Sequence, residues 1–508
     1  MELEFKQESI EDFDVLTETT LCQEETLESI VPDACPDILR IVDVCGQAML
    51  TGKQAHEGLA SVSGVVRAAI LYQPEGGGGL RKMDVTLPFH CQAESAGLTD
   101  TGTVHAGARL RFAEARVLNP RKVLLRVDLA VDITTYRHRV QKIICAAQEE
   151  QHENLCQLQH ECEHYFISYV QEKPFTFQEQ IRLQGTQSEP PLLLSTRALA
   201  TCTESRLIGS KLIFKGTAEV CMLLQESGGL LSSERESLPF SQILEIPGAQ
   251  EDCDCSVRLE ITDFQCHPSE ADSHTMDVTL ELLALVRVHT KRPVTCLRDL
   301  YSTSHTVETE AASQKLCQFR ENLVRSQPVR DLIETSDMVR SVVDSRITLG
   351  NTDSQMEGGD LLLVTDAWIT VLYLDENELL QCARKTIDVS CRLNLTKDML
   401  YSCGSHAPGE VYASPAAGGI EVRFNVDFQC CSVQSTEIST VSSAQLGEPR
   451  SVARKKTPSV VLRLAQPGEG LWDLAKAYGT TTQLILQANN MESEAALDGR
   501  MLLIPGCR

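Results

Sequence analysis

Histidine and cysteine recur at every fourth residue in one stretch of this chain: His152, Cys156, His160 and His164. On a helix, side chains four apart share a face, and a pair of imidazole or thiolate groups so placed can chelate zinc. Successive four-residue steps drift by about 40° around a 3.6-residue helix, so no single ion can use all four. The plainer reading is a polar helix face rich in histidine, and no metal is expected. Cys253-Asp254-Cys255 and Cys430-Cys431 lack the paired CxxC spacing of a zinc ribbon. The run Gly76 to Gly79 invites a phosphate cradle, but no Lys-Ser/Thr pair follows it.

Of the common catalytic motifs, the sequence holds no GxSxG, no P-loop and no GxGxxG placed after a strand. Its 71 acidic residues make close carboxylate pairs inevitable, and no spacing marks out an acid/base couple. The chain therefore reads as a binding or structural protein, without a cofactor and not an enzyme.

Composition narrows the partners. At 508 residues the length implies three or four domains. A net charge of −25 argues against nucleic acid, since neutralising phosphates takes clustered Lys and Arg. No stretch approaches the roughly 18–20 apolar residues of a membrane span. The opening MELEFKQESIEDFDVLTETT places acids where a secretory signal needs a basic start and an apolar run, so a cytoplasmic location is expected. The twenty cysteines are then expected to be mostly reduced, small apolar fillers.

One pattern occurs three times, about 150 residues apart. With Gly64, Gly216 and Thr365 as origins, the segments are GVVRAAILY, GTAEVCMLL and TDAWITVLY. Even offsets are apolar in all three, and odd offsets are mixed, which is the signature of a strand with one buried face. A turn and a second apolar segment follow each, giving a hairpin. Further along come Leu125 to Ile133, Met276 to Leu282 and Ile420 to Phe428, alternating again. The expectation is a mainly β protein of three antiparallel, sandwich-like repeats. Between the first two, RHRVQKIICAAQEEQHENLCQLQHECEHYF lacks Gly and Pro and reads as a linker helix.

After Cys431, SVQSTEISTVSSAQLGEPRSVARKKTPS reads as a Ser/Thr-rich linker carrying Arg450, Arg454, Lys455 and Lys456. A compact unit follows. Val460 to Leu464 reads as a strand, and Leu471, Leu474, Ala475 and Tyr478 mark one helix face. Gly479 caps that helix, Thr480 to Thr482 offer N-cap hydroxyls for a second, and Met501 to Ile504 close as a strand.

The text QPGEGLWDLAKAYGTTTQLILQANN, then LDGRMLLIP, resembles a LysM domain, a small α+β fold of order βααβ. The family binds N-acetylglucosamine polymers between two loops. The resemblance maps these onto Gly468, Glu469, Gly470 and Leu471, and onto Leu497, Asp498, Gly499 and Arg500. Gly470 stands where the family usually has Ser or Thr. Trp472, off the buried face, is either edge packing or an exposed interface anchor. VPDACPDILRIVDVCGQ and LPFSQILEIPGAQ resemble SPOCS domains, and three of these before a LysM module resemble the SipL-like spore coat morphogenetic proteins.

That likeness implies repeats at 1–150, 151–310 and 311–440, a basic linker at 441–457 and LysM at 458–508. It further implies a cytoplasmic, mother-cell adaptor at the forespore surface. Its LysM domain would bind the coat-nucleating ATPase SpoIVA, and its repeats would bind other coat proteins. The alternative is a peptidoglycan- or chitin-binding wall protein.

Overall fold

In the computed structural model, the described residues are all except 1, 78, 149–153, 184–189, 250–252, 273, 395–398, 408–410, 451–458, 467, 493–498 and 507–508. Antiparallel strands dominate, as the alternation requires. The first unit has β1 (Phe5–Ile30), β2 (Ile38–His56), β3 (Leu59–Pro74), β4 (Arg81–Glu94), β5 (Thr103–Asn119) and β6 (Lys122–Ala147). They form two sheets, β1-β6-β5 and β2-β3-β4.

The second unit repeats this with β7 (Leu155–Arg182), β8 (Leu192–Ile208), β9 (Lys211–Gln225), β10 (Leu231–Glu245), β11 (Asp254–Pro268) and β12 (Thr275–Ser302). Its sheets are β7-β12-β11 and β8-β9-β10. The third has β13 (His305–Glu334), β14 (Val339–Glu357), β15 (Asp360–Asp375), β16 (Leu380–Leu393), β17 (Leu400–His406), β18 (Tyr412–Ala416) and β19 (Gly419–Pro449). Here β13-β19-β17 faces β14-β15-β16, and β18 also pairs with β19.

The repeated segments are the middle strands β3, β9 and β15, and all their even-offset side chains, from Val66 to Tyr373, are buried. Each unit has its own core between its two sheets. The origin residue is set by its cross-strand neighbour. A Cβ on Gly64 would lie 2.3 Å from the Phe89 ring, and one on Gly216 would lie 2.5 Å from Phe240. In the third unit the facing residue is Val389, and β14 carries a bulge between Leu349 and Thr352, so Thr365 fits.

Two readings need correction. The stretch read as a linker helix is strand on both sides of residues 149–153: the end of β6 and the start of β7. Ile143 pairs with Glu8 of β1, and Cys156 with Tyr301 of β12. Long-range pairing overrides the local 3.6-residue pattern. Likewise 432–449, read as linker, is the second half of β19, zipped to β13 from Ser432–Glu321 to Pro449–His305. Its alternating Ser, Thr and Val suit a pleated ribbon. The basic positions 451–458 lie outside the described residues.

The long ribbons β1–β6, β7–β12 and β13–β19 extend past the sandwiches and pack on each other. Ile10, Ile143, Val294, Cys296 and Leu316 bury one layer there, and Leu3, Leu297, Leu300, Val441 and Ala444 the next.

Elsewhere the three units meet around a plug to which each gives the same residues. These are a bulged apolar (Val42, Leu194, Val343), a middle-strand leucine (Leu71, Leu223, Leu372) and a leucine at the entry to the third strand (Leu80, Leu231, Leu380). Beside the plug, units grip one another head to tail. Arg346 and Arg384 of the third unit lie 2.8 and 2.9 Å from the fully buried Asp43 of the first. Arg197 of the second makes a two-pronged pair with Asp344 of the third, at 2.6 and 2.9 Å. Between first and second, the Gln47 amide both donates to and accepts from the Ala198 backbone, at 3.2 and 3.3 Å.

Burial alone would push Asp43 up, but Arg346 and Arg384 outweigh it and hold this carboxyl far below the usual range. Removing one partner of a buried pair leaves the other charge stranded. Asp43→Ala is therefore expected to cost about 3–5 kcal/mol of stability, read as a lower urea midpoint; an unchanged midpoint would show that this pair does not hold the junction.

Acid acts in the same direction. Burial, reinforced by Lys53, Arg287 and Arg258, holds His105 at about 3, and burial with Arg287 holds His289 at about 3. Above pH 6.5 both are neutral in folded and unfolded chains, so their contribution is complete. As pH falls from there toward 3 the unfolded chain takes up protons that the folded chain refuses. Stability should thus drop with a slope of up to about 1.4 kcal/mol per pH unit per histidine. Urea titrations across pH 7 to 4 measure this, and the slope should shrink in His105→Leu.

Candidate functional site

The C-terminal unit forms as its residues dictate: β20 (Val460–Leu464), α1 (Leu471–Tyr478), α2 (Thr482–Ala488) and β21 (Met501–Pro505). Leu471, Leu474 and Ala475 bury one face of α1 against Ile485, Leu502 and Ile504. Gly479 ends α1 in the left-handed region at φ 62°, which only glycine adopts cheaply. The Thr481 hydroxyl accepts from Leu484 N–H at 3.2 Å and starts α2.

The two loops expected to form a binding groove abut. Ala465 N–H donates to the Arg500 carbonyl at 2.9 Å, and Gly499 N–H to the Ala465 carbonyl at 3.2 Å. Gly468 and Gly499 turn with φ 83° and 74°. Leu497 and Asp498 lie outside the described residues. Glu469 shapes its own loop, pairing with Arg463 and accepting from Gln466 N–H at 3.0 Å. Leu471 is core. Gly470 occupies the N-cap of α1 with no side chain to cap it, although Asp473 accepts from its N–H at 3.3 Å.

Trp472 is half-buried, and its neighbours come from another unit. Its indole N–H donates to Asp299 Oδ2 at 2.8 Å, and its ring meets Tyr301 edge-on at 4.8 Å. Lys476 Nζ lies 2.7 Å from both Asp299 oxygens, and the buried Tyr301 hydroxyl donates to the Thr480 carbonyl at 2.8 Å. The module is thus clamped onto the end of β12, with Tyr301 inserted into its core.

Sequence reasoning missed this clamp and one more: Asn489. Its side chain bonds both the N–H and the C=O of Leu503, each at 2.8 Å, and the Ile485 carbonyl at 2.7 Å, tying α2 to β21. An Asn ending a helix is the available signal, but the partner strand is not readable locally.

Because α1 and Asn489 cover one side of the module, the opposite face of its two-stranded sheet looks outward. Register places Leu462 opposite Leu503 and Leu464 opposite Met501, with Val460 continuing the row. These five side chains are 41–62 % exposed.

The metal-like cluster does not assemble on a helix. His152 lies outside the described residues, and Cys156, His160 and His164 sit on β7, where four residues span about 13 Å. His164 is buried, its Nδ1 accepting from Cys317 N–H at 3.1 Å. Among the described residues no group of three or more His, Cys, Asp or Glu is placed to hold a metal ion. The nineteen described cysteines are free thiols. Gly76 and Gly77 take positive φ in a hairpin turn between β3 and β4.

Comparison with protein families finds two domains. A family model described as "SipL, SPOCS domain" matches residues 193–269, spanning β8 to β11, and a LysM domain model matches 465–505. The chain carries a SPOCS domain and a C-terminal LysM domain. Both are binding domains without catalytic function, and their combination is that of a SipL-like protein. No curated protein and no solved structure matches the chain. Among the described residues no helix is long and apolar enough to cross a membrane.

The clamp is testable. Asp299→Ala strands Lys476 and the indole N–H, so amide exchange over 471–480 should rise and Trp472 emission should shift red, while β3 and β9 keep their protection. Gly470→Ser, whose Cβ meets nothing closer than 3.4 Å, should raise the module's stability by about 0.5 kcal/mol, read as slower exchange in the same segment.

Proposed function

We propose that this protein is a non-enzymatic adaptor in spore coat assembly, whose LysM domain grips another protein. The observation carrying this reading is the outward face of the β20–β21 sheet. Five large apolar side chains in register, without a charge among them, favour a protein surface over a hydroxyl-rich glycan. Two features of the groove point the same way. The capping hydroxyl is missing at Gly470, and Glu469 is engaged within its own loop. The SPOCS match supports a sporulation role.

On this reading the partner is a coat-nucleating ATPase of the SpoIVA kind at the forespore surface, in the mother-cell cytosol. The three β units present their outer strands to further coat proteins. The groove residues Gly468, Glu469, Gly470, Leu497, Asp498, Gly499 and Arg500 would form the rim of that contact, with Trp472 holding the module at its working angle.

Pull-down of the full chain with a SpoIVA-type ATPase, and separately with insoluble peptidoglycan, tests this. Capture by the ATPase, weakened at least tenfold by Leu462→Glu or Leu503→Glu on a face where neither change disturbs the core, is the expected result. Retention on peptidoglycan alone, indifferent to both substitutions, would establish the wall-glycan alternative.

A further inference from the structure

Where the three units meet, next to the leucine plug, they enclose a half-open chamber of about 1360 Å³. Small-molecule sites commonly measure roughly 300–1,000 Å³. The chamber's wall reverses the charge balance of the chain. Among the described residues eight Arg or Lys and six Asp or Glu line it, against 46 and 71 in the whole sequence.

Nine buried side-chain polar atoms among the described residues lack a hydrogen-bond partner, and four belong to residues that line this chamber: Arg109 Nε, Arg111 Nε, Trp368 Nε1 and Asn351 Oδ1. Three of them gather at the seam of the first and third units. The Arg111 guanidinium lies 5.6 Å from the Trp368 ring centroid, and Phe112 packs on the same indole with centroids 5.6 Å apart. Arg111 and Asn351 both donate to Cys22 Sγ, at 3.0 and 3.4 Å, which sets them side by side.

Among the described residues no carboxylate lies within hydrogen-bond distance of Arg111. Its nearest carboxylates, Asp128 and Asp366, stay 3.9 Å away, beyond hydrogen-bond length. Burial pushes both acids up, and Asp388 pushes Asp366 further, against the pull of Arg111. A guanidinium so placed gains from a ligand that brings its own charge and acceptor oxygens.

We propose that this corner of the chamber binds a carboxylate-bearing ligand. Arg111 Nε and Trp368 Nε1 donate to the carboxylate, and Asn351 Oδ1 accepts from a hydroxyl or amino group beside it. The chamber is wide enough for a free hydroxy acid or for the acidic side chain of a peptide.

Isothermal titration of the full chain with citrate, and separately with a hexaglutamate peptide, distinguishes these sources. Binding of citrate alone assigns a free acid, and tighter binding of the peptide assigns a protein segment; either supports the site. Trp368→Phe keeps the ring but removes its N–H, and Arg111→Gln removes the charge. Each should weaken binding about tenfold or more, with the circular dichroism spectrum unchanged. If Arg111→Gln does not fold, Trp368→Phe alone decides. No heat from either probe at millimolar concentration means a water-filled chamber and overturns the proposal, as does binding that both variants leave intact.

Discussion

The arrangement depends on a buried carboxylate of one unit being neutralised by arginines of the next. Asp43 is accessible to no solvent, and its charge is tolerable only because Arg346 and Arg384 reach it from the third unit. Asp344 stands at the matching place in its own unit and takes Arg197 from the second. Each is thus a head-to-tail contact, and a head-to-tail contact that closes after three steps makes a ring. Neither unit of such a pair can leave without exposing the other's charge unpaired. The leucine plug adds apolar burial at the same spot, but leucines do not fix an angle. The two-pronged guanidinium geometry does.

The third contact of the ring lacks this pair, for a reason visible in sequence position. Where the first and third units have Asp43 and Asp344, the second has Ser195. Two residues on, Arg197 and Arg346 correspond to Cys45 in the first unit. Donor and acceptor are lost together, so no stranded charge remains. Gln47 and the surface-ward pairs Arg67–Asp263 and Arg258–Asp132 take over that seam. In an oligomer of separate chains such a seam would be a point of dissociation. Here the chain passes from the first unit to the second, keeps them at high effective concentration, and a weaker contact suffices.

Much of this was legible in the sequence, and what was not has a common cause. Period-two alternation found the middle strands, and each of their even-offset residues is core. The same reading set aside the odd offsets as solvent-facing, yet Leu71, Leu223 and Leu372 all stand at odd offset seven and form the plug. Alternation reports one buried face per strand, and it cannot tell that the other face meets a neighbouring unit at a single position. The linker helix and the Ser/Thr linker failed likewise. Ribbons of 26 to 31 residues exist because three of them pack together, and residues 140–147 and 432–449 hold no local sign of partners over a hundred positions away. The LysM module was read almost strand for strand, since its caps and helix faces are local. Its clamp was not, because Asp299 and Tyr301 look like ordinary residues of a long strand.

That clamp changes what the module can do. A LysM domain on a free tether could offer any face to a ligand. With Trp472, Lys476 and Thr480 committed to Asp299 and Tyr301, the α1 side is occupied and the outer sheet face and groove loops are what remain. The indole is too large and too well placed to be spared at small cost, since it fills an edge and satisfies a carboxylate at once. A partner that bound Trp472 directly would have to lift the module off β12 and leave Asp299 to water. A partner on the outer sheet face meets a surface already held at a fixed angle to the ring of β units, and so gains their outer strands as a second point of attachment without that ordering cost.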